Sequence, residues 1–228
     1  RASIYNEDML FQEFGIDAEI MIDHAWGLEP CGMAEIKAYK PSTNSLSEGQ
    51  VLAEPYPYDK ARIIVAEMAD SLVFQLTDKN LVTDGLTLDV GYDRENCDKG
   101  SYRGPVHIDH YGRSVPKGAH GSTHLGNPSN LGSTIVTAAV ELFDQIANRS
   151  LTVRRITIAA NRVVQDEGVY QFDLFSDVEK QEKEKTLQKA LLGIKKKYGK
   201  NAILKGTNFL DGATMRERNK QIGGHKES

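Results

Sequence analysis

A chain of 228 residues, 39% hydrophobic and 26% charged, can build a packed core, and its composition is not that of a disordered polypeptide. No apolar run approaches the roughly 18 residues of a membrane helix, and two cysteines, Cys31 and Cys97, are too few for a disulfide scaffold or a cysteine-built metal centre. The net charge of −4 argues against a generally basic nucleic-acid binder, yet residues 177–228 hold 13 Lys and Arg against 7 Asp and Glu, so a local basic surface stays available.

Residues 3–27 show roughly helical spacing of Met9, Leu10, Phe14, Ile16, Ile20, Met21 and Ile22, interrupted at Gly15. Around Pro30, Gly32 and Pro41 the pattern stops, and residues 31–40 read as a linker. A globular block follows over 41–165. Leu46–Ala53 is a candidate strand. Asp59 to Leu76 is an amphipathic helix with Ile64, Met68, Leu72 and Leu76 on one face and Asp59 as its N-cap. Leu86, Leu88, Val90 and Tyr92 alternate with Thr87, Asp89 and Gly91, the signature of a half-buried strand. Residues 93–132 are rich in Gly, His and basic residues, with a possible strand at 105–111. A second helix over 134–147 turns Ile135, Ala139, Leu142, Phe143 and Ile146 inward, and Val153–Val164 is the last strand.

The block therefore predicts an α+β fold, β-α-β-β-α-β, a four-stranded sheet with both helices on one face. The last strand describes the other face. Ile156, Ile158 and Ala160 point toward the helices, whereas Arg155, Thr157, Ala159 and Asn161 point away and are small, polar or basic. Such a face is either solvated or lies against something polar. Arg154 borders it as well. Residues 166–177 form a polar connector, and 178–228 a basic helix with a stripe of Leu187, Ala190, Leu191 and Ile194, then a glycine-punctuated tail expected to be mobile. Lys195–Lys197 reads as a solvated helix end.

Motifs of nucleotide-binding loops and hydrolase elbows are missing. His107, His110, His120 and His124, with Asp109, form one cluster with metal-binding potential, but Arg94, Lys99, Arg103, Arg113 and Lys117 beside them would compete with a cation. These residues are therefore read as holding no metal, with a His-based metalloenzyme fragment kept as an alternative. The sharpest motif is Gln171-Phe172-Asp173-Leu174-Phe175 in the connector. Leu174 and Phe175 can supply buried anchors in a partner's pocket and Gln171 a positioned hydrogen bond. The bland reading is a staple folded back on the domain, and an interaction module without DNA affinity stays open.

Gly15-Ile16-Asp17-Ala18-Glu19, His24-Ala25-Trp26-Gly27-Leu28-Glu29-Pro30, the β-α-β-β-α-β block, Gln171–Phe175 and the stretch 205–214 together resemble the C-terminal half of a Y-family translesion DNA polymerase of the UV-damage-repair type found in Gram-positive bacteria. The resemblance implies that 1–30 is the end of the thumb and 41–165 the little finger, which lays its open sheet face on duplex DNA without reading sequence. Arg155, Thr157, Asn161, Arg113, Lys117, Arg103, Ser45 and Ser47 are then the candidate DNA contacts. Gln171, Asp173, Leu174 and Phe175 match the family's sliding-clamp-binding pentapeptide, which makes the bacterial sliding clamp the second partner. The family's chemistry lies in a palm where carboxylates hold Mg²⁺. With Arg1 first and no palm motif in sight, the expectation is a cytoplasmic piece of a longer protein, catalytically silent by itself and with no cofactor of its own.

Overall fold

A computed structural model describes residues 10, 17–28, 31–38, 44–98, 102–109, 112–168, 178–222 and 225–226, and divides the chain into two units, Arg1–Thr43 and Asn44–Ser228. In the first unit, helix α1 spans Asp17–Ala25. It ends where Gly27 adopts φ +76°, a left-handed conformation that glycine takes without a Cβ penalty. The N–H of Leu28 closes the turn on the Asp23 carbonyl at 2.9 Å. Helix α2, Met33–Ala38, falls inside the stretch expected to be a linker. Its residues are mostly good helix formers, with Glu35 in the first turn and Lys37 in the last, favourable for the helix dipole.

The second unit begins with strand β1, Leu46–Tyr56, helix α3, Tyr58–Asp78, and strand β2, Leu81–Tyr92. A single-turn helix α4, Glu95–Asp98, precedes a small hairpin of β3, Val106–Ile108, and β4, Ser114–Pro116. Then come β5, Ala119–Ser129, α5, Gly132–Ile146, β6, Val153–Asn161, and the two-residue β7, Val164–Gln165. All pairings are antiparallel, in the order β1-β6-β2-β5, with β7 extending the sheet beside the start of β2.

The α+β reading and its β-α-β-β-α-β order hold, with two changes. A fifth short strand is present, and the strand that enters the sheet is β5 at 119–129, while 106–108 pairs only with β4. β5 alternates Ala, Gly, Thr and Leu inward with His and Ser outward, so it carries little of the apolar alternation by which a strand is recognised. Smallness is required there: a Cβ on Gly121 would come within 2.8 Å of Ile146 Cγ2 and 3.1 Å of Leu142 Cδ1 on α5. Asp59 is not the cap of α3. Pro57 holds that position, with its fixed φ at −63°, and Asp59 is an exposed first-turn acid.

The core lies between the sheet and the paired helices. Ile64, Met68, Leu72 and Leu76 of α3, Ile135, Ala139 and Phe143 of α5, and Leu86, Leu88, Ile156 and Ala160 of the strands are fully buried. Each large side chain contributes roughly 1.5–3 kcal/mol of burial. Tyr58 and Phe143 join the two helices with ring centroids 5.0 Å apart, and Tyr58 donates to Asp144 at 2.5 Å.

The C-terminal segment departs most from expectation. Helix α6, Val178–Tyr198, docks on the domain through polar residues. Gln188 Oε1 accepts from Gly132 N–H at 2.7 Å and Glu184 Oε1 from Ser133 N–H at 2.7 Å, satisfying the otherwise unpaired first turn of α5. Gln188 is buried, whereas Leu187 and Ala190 of the expected apolar stripe are exposed. Beyond it a 3₁₀ turn, Gly206–Phe209, and helix α7, Met215–Arg218, fold back on α3. The buried Glu67 carboxylate accepts from Asn208 Nδ2 at 2.8 Å, Thr214 N–H at 2.7 Å and Met215 N–H at 3.0 Å. Lys205 pairs with Asp70 at 2.6 Å and Lys60 with Asp211 at 2.9 Å. Residues 199–219, expected to be mobile, are thus stitched to the domain by a buried acid and three ion pairs, the third being Arg218 with Glu48 at 3.9 Å.

Candidate nucleic-acid interface

Sheet register fixes what the open face offers. Because side chains alternate along a strand, the pairs Val51↔Arg155↔Gly91, Gly49↔Thr157↔Asp89↔His120, Ser47↔Ala159↔Thr87↔Ser122 and Asn161↔Gly85↔His124 form successive rows across the sheet. Every side chain in these rows except Val51 is small, polar or basic. Ser45 stands just before the first pair of β1, Leu46↔Ala160, beside the last row.

Several polar groups on this face are held in place. His120 Nδ1 lies 2.7 Å from Asp89 Oδ1, Asn161 Nδ2 donates to Thr87 Oγ1 at 2.6 Å, and Arg162 Nε donates to Asp84 at 2.7 Å while its Nη2 lies 3.0 Å from His124 Nδ1. The Arg162 hydrogen bond holds the Asp84 carboxyl below its ordinary value. Asp84 is thus paired with a guanidinium and Asp89 is hydrogen-bonded to His120, so neither of these carboxylates is without a partner. Arg162 reaches Asp84 from a backbone φ of +46°, where the chain turns out of β6.

At the Arg155 end, the hairpin and the sheet enclose an open cleft of about 570 Å³ lined by Arg94, His107, Arg113, Arg154 and Arg155 together with Asp93 and Asp109. The acids are engaged: Arg113 Nη2 lies 2.6 Å from Asp109, and Arg154 Nε donates to Asp93 at 2.5 Å. Arg154 also donates to the carbonyls of Leu52 and Ala53 at 3.0 and 2.9 Å. It is therefore a structural residue between strands, in contrast to its reading as a border of the open face. Arg94 and Arg155 form no ion pair among the described residues. Gly91 keeps the neighbourhood of Arg155 clear, since a Cβ there would sit 3.3 Å from that of Arg155.

Of the residues singled out from sequence, Arg155, Thr157, Asn161 and Ser47 share the open face, and Arg113 joins Arg155 at the cleft. Lys117 is exposed in the turn between β4 and β5, its N–H donating to the Pro105 carbonyl at 2.8 Å, next to cleft residues Pro116 and Gly118. Arg103 is exposed but does not line the cleft. Sequence reasoning missed the β5 contribution, His120, Ser122 and His124 as face residues, and the role of Arg94. His120 and His124 are spread over separate rows and His107 sits on the hairpin, while His110 is outside the described residues. Among the described residues no three His, Cys, Asp or Glu converge to hold a metal. None of the described helices is long and apolar enough to cross a membrane. The pentapeptide residues Gln171, Asp173, Leu174 and Phe175 lie outside the described residues.

A model of the impB/mucB/samB family C-terminal domain matches residues 43–174, more than half of the chain. Among curated proteins, this chain is 24% identical over 221 residues to a protein named for UV-damage repair, UvrX of Bacillus subtilis (strain 168), covering 96% of this chain and 47% of that one. It is 22% identical over 216 residues to DNA polymerase IV 2 of Halalkalibacterium halodurans, covering 93% of this chain and 46% of that one. The chain thus spans about half the length of the curated relatives it matches. Among solved structures, a complex of the beta-clamp processivity factor and the little finger domain of PolIV is similar at a TM-score of 0.35 and 10% identity, covering 58% of this chain and 99% of that one.

Proposed function

The chain belongs to the impB/mucB/samB family as its C-terminal domain, the C-terminal part of a Y-family polymerase, and from that premise we propose that residues 44–165 grip duplex DNA through the open sheet face while Gln171–Phe175 tethers the polymerase to the bacterial sliding clamp. The observation that carries the DNA assignment is the set of cross-strand rows: four strands present side chains that, Val51 apart, are small, polar or basic, with Arg155, which has no ion pair among the described residues, beside a cleft holding Arg94 and Arg113. Small residues let a phosphate backbone approach the sheet, and guanidinium groups meet phosphates as forked donors. Such contacts position a duplex without reading its bases.

A polymerase that accepts damaged templates gives up contacts at an open active site, and a separate backbone grip restores them. The clamp peptide adds effective concentration at the primer, so two weak attachments combine. Asp173 favours an extended or turn form of the peptide, Gln171 sets its register, and Leu174 and Phe175 supply the anchors. Ordering a short peptide on binding limits it to micromolar affinity. Polymerase chemistry, with its Mg²⁺ ions, belongs in this reading to a palm outside these residues.

Amide hydrogen exchange with and without a duplex of about two helical turns tests the assignment. Protection is expected at β6, β2, β5 and the 105–117 hairpin, and none on α3 or α5. Protection confined to the helical side would refute it.

A further inference from the structure

On the helical side of the sheet, α3, α6 and the C-terminal tail enclose a cleft of about 560 Å³ that the DNA and clamp assignments leave unused. Its size is that of a ligand site. Phe74 and Leu191, with Leu192, Ile203, Leu204 and Met215, line it while remaining only half-buried. Lysines stand around this apolar floor. Lys205 pairs with Asp70 at 2.6 Å and Lys196 pairs with Asp78. Glu48, at the inner end, is engaged by Ser71 at 2.5 Å and by Gln75, with Arg218 at 3.9 Å. Asp70 and Asp78 are thus taken up by lysines, while Glu48 Oε2, buried with no hydrogen-bond partner among the described residues, faces Arg218 rather than the lysines. Lys195 and Lys200 have no ion pair among the described residues, and Lys195 is half-buried, with its ammonium 4.6 Å over the Phe74 ring. Burial pushes this ammonium below the ordinary lysine value, an effect that the Asp70 charge partly offsets.

A half-buried cation with no ion pair among the described residues, on the edge of an apolar floor, is complementary to an anion that carries its own apolar surface. A duplex has no apolar surface to lay on Phe74 and Leu191. We propose that this cleft docks a short acidic peptide of a partner protein, its carboxylates meeting Lys195 and Lys200 and its apolar side chains resting on Phe74, Leu191 and Leu204. The site would give the domain a protein contact on the side opposite the DNA, so both can be held at once.

The test uses the full chain and a fluorescein-labelled octapeptide, Asp-Asp-Leu-Asp-Asp-Leu-Leu-Phe, followed by anisotropy. Saturable binding is expected at about 10–100 μM. It should weaken about tenfold or more when Asn replaces every Asp of the peptide, when Ser replaces its Leu and Phe, or in the Lys195→Glu/Lys200→Glu variant. The melting temperature of that variant is compared with the parent, and Lys195→Met, which removes the charge while keeping an unbranched stem of similar length over Phe74, serves if the double charge reversal misfolds. No binding up to about 1 mM, equal binding of the Asn peptide, or equal binding by a folded Lys195 variant overturns the proposal. Displacement of the peptide by a single-stranded oligonucleotide would overturn it also, because the cleft would then be a general anion site.

Discussion

The carboxylate of Glu67, buried within α3, accepts the backbone N–H of Thr214 at 2.7 Å, although 147 positions separate the two residues in the chain. With Met215 N–H and Asn208 Nδ2 on the same carboxylate, this one acid anchors the C-terminal tail. Glu67→Ala leaves two backbone N–H groups and an amide without their acceptor and is expected to destabilise the domain by about 2–3 kcal/mol. Urea unfolding measures the loss, and amide exchange over 201–219 should accelerate before that of α3. A variant that keeps tail protection at the parent's level would show that the other contacts suffice.

Asp144 joins the two helices by accepting from Tyr58 at 2.5 Å and Arg62 Nε at 2.9 Å, and the Arg62 bond holds its carboxyl below the ordinary value of 3.8. A depressed folded-state pKa means stability that is present above the unfolded-state value and lost as pH falls through the folded one. Asp144→Asn is expected to cost about 1 kcal/mol at pH 7. The gap between variant and parent should narrow once pH drops below about 4. Thermal melts at stepped pH check the sign: a gap that widens in acid would contradict it.

Gln188 bridges Gly132 N–H at 2.7 Å and the Asn130 carbonyl at 3.0 Å. Its replacement by Ala removes a cap on α5 delivered by another helix, with an expected loss of about 1–2 kcal/mol. Exchange should rise at the α5 N-terminus and along α6 together. A rise on α6 alone would mean that α5 caps itself.

Leu174→Ala/Phe175→Ala is expected to abolish clamp binding in calorimetry while duplex affinity and melting temperature stay unchanged. Each side chain forgoes roughly 1.5–3 kcal/mol of burial if left in water, which a pocket on the clamp recovers. Undiminished clamp binding by the double variant would refute the peptide assignment.

What could be read from sequence follows from which forces leave a periodic trace. Ile64, Met68, Leu72 and Leu76 repeat at helical spacing, and Ile156, Ile158 and Ala160 alternate, so α3 and β6 were legible together with the small, polar face opposite them. β5 was not, because Gly121 must stay without a side chain under Leu142 and Ile146, the other inward positions include Ala119 and Thr123, and the outer ones are His and Ser. Without β5 the partners of Asp89 and Arg162 on the face could not be named. The docked tail leaves no trace in the sequence for a related reason: Glu67 looks like any surface acid of an amphipathic helix, and no pattern announces that it is buried under Asn208 and Thr214. Alternation already puts Arg155 on the open face, whereas only the structure takes its neighbour Arg154 off that border and gives it to Asp93.

The open-face assignment is tested most directly by the salt dependence of duplex binding for the parent and for Arg155→Ala/Lys117→Ala. Each phosphate neutralised releases condensed counterions and contributes about −0.9 to the slope of log K against log salt. The double variant is expected to bind duplexes of any sequence more weakly, with a slope flatter by about 1–2, at an unchanged melting temperature. An identical affinity and an identical slope in parent and variant would contradict the placement of DNA on this face.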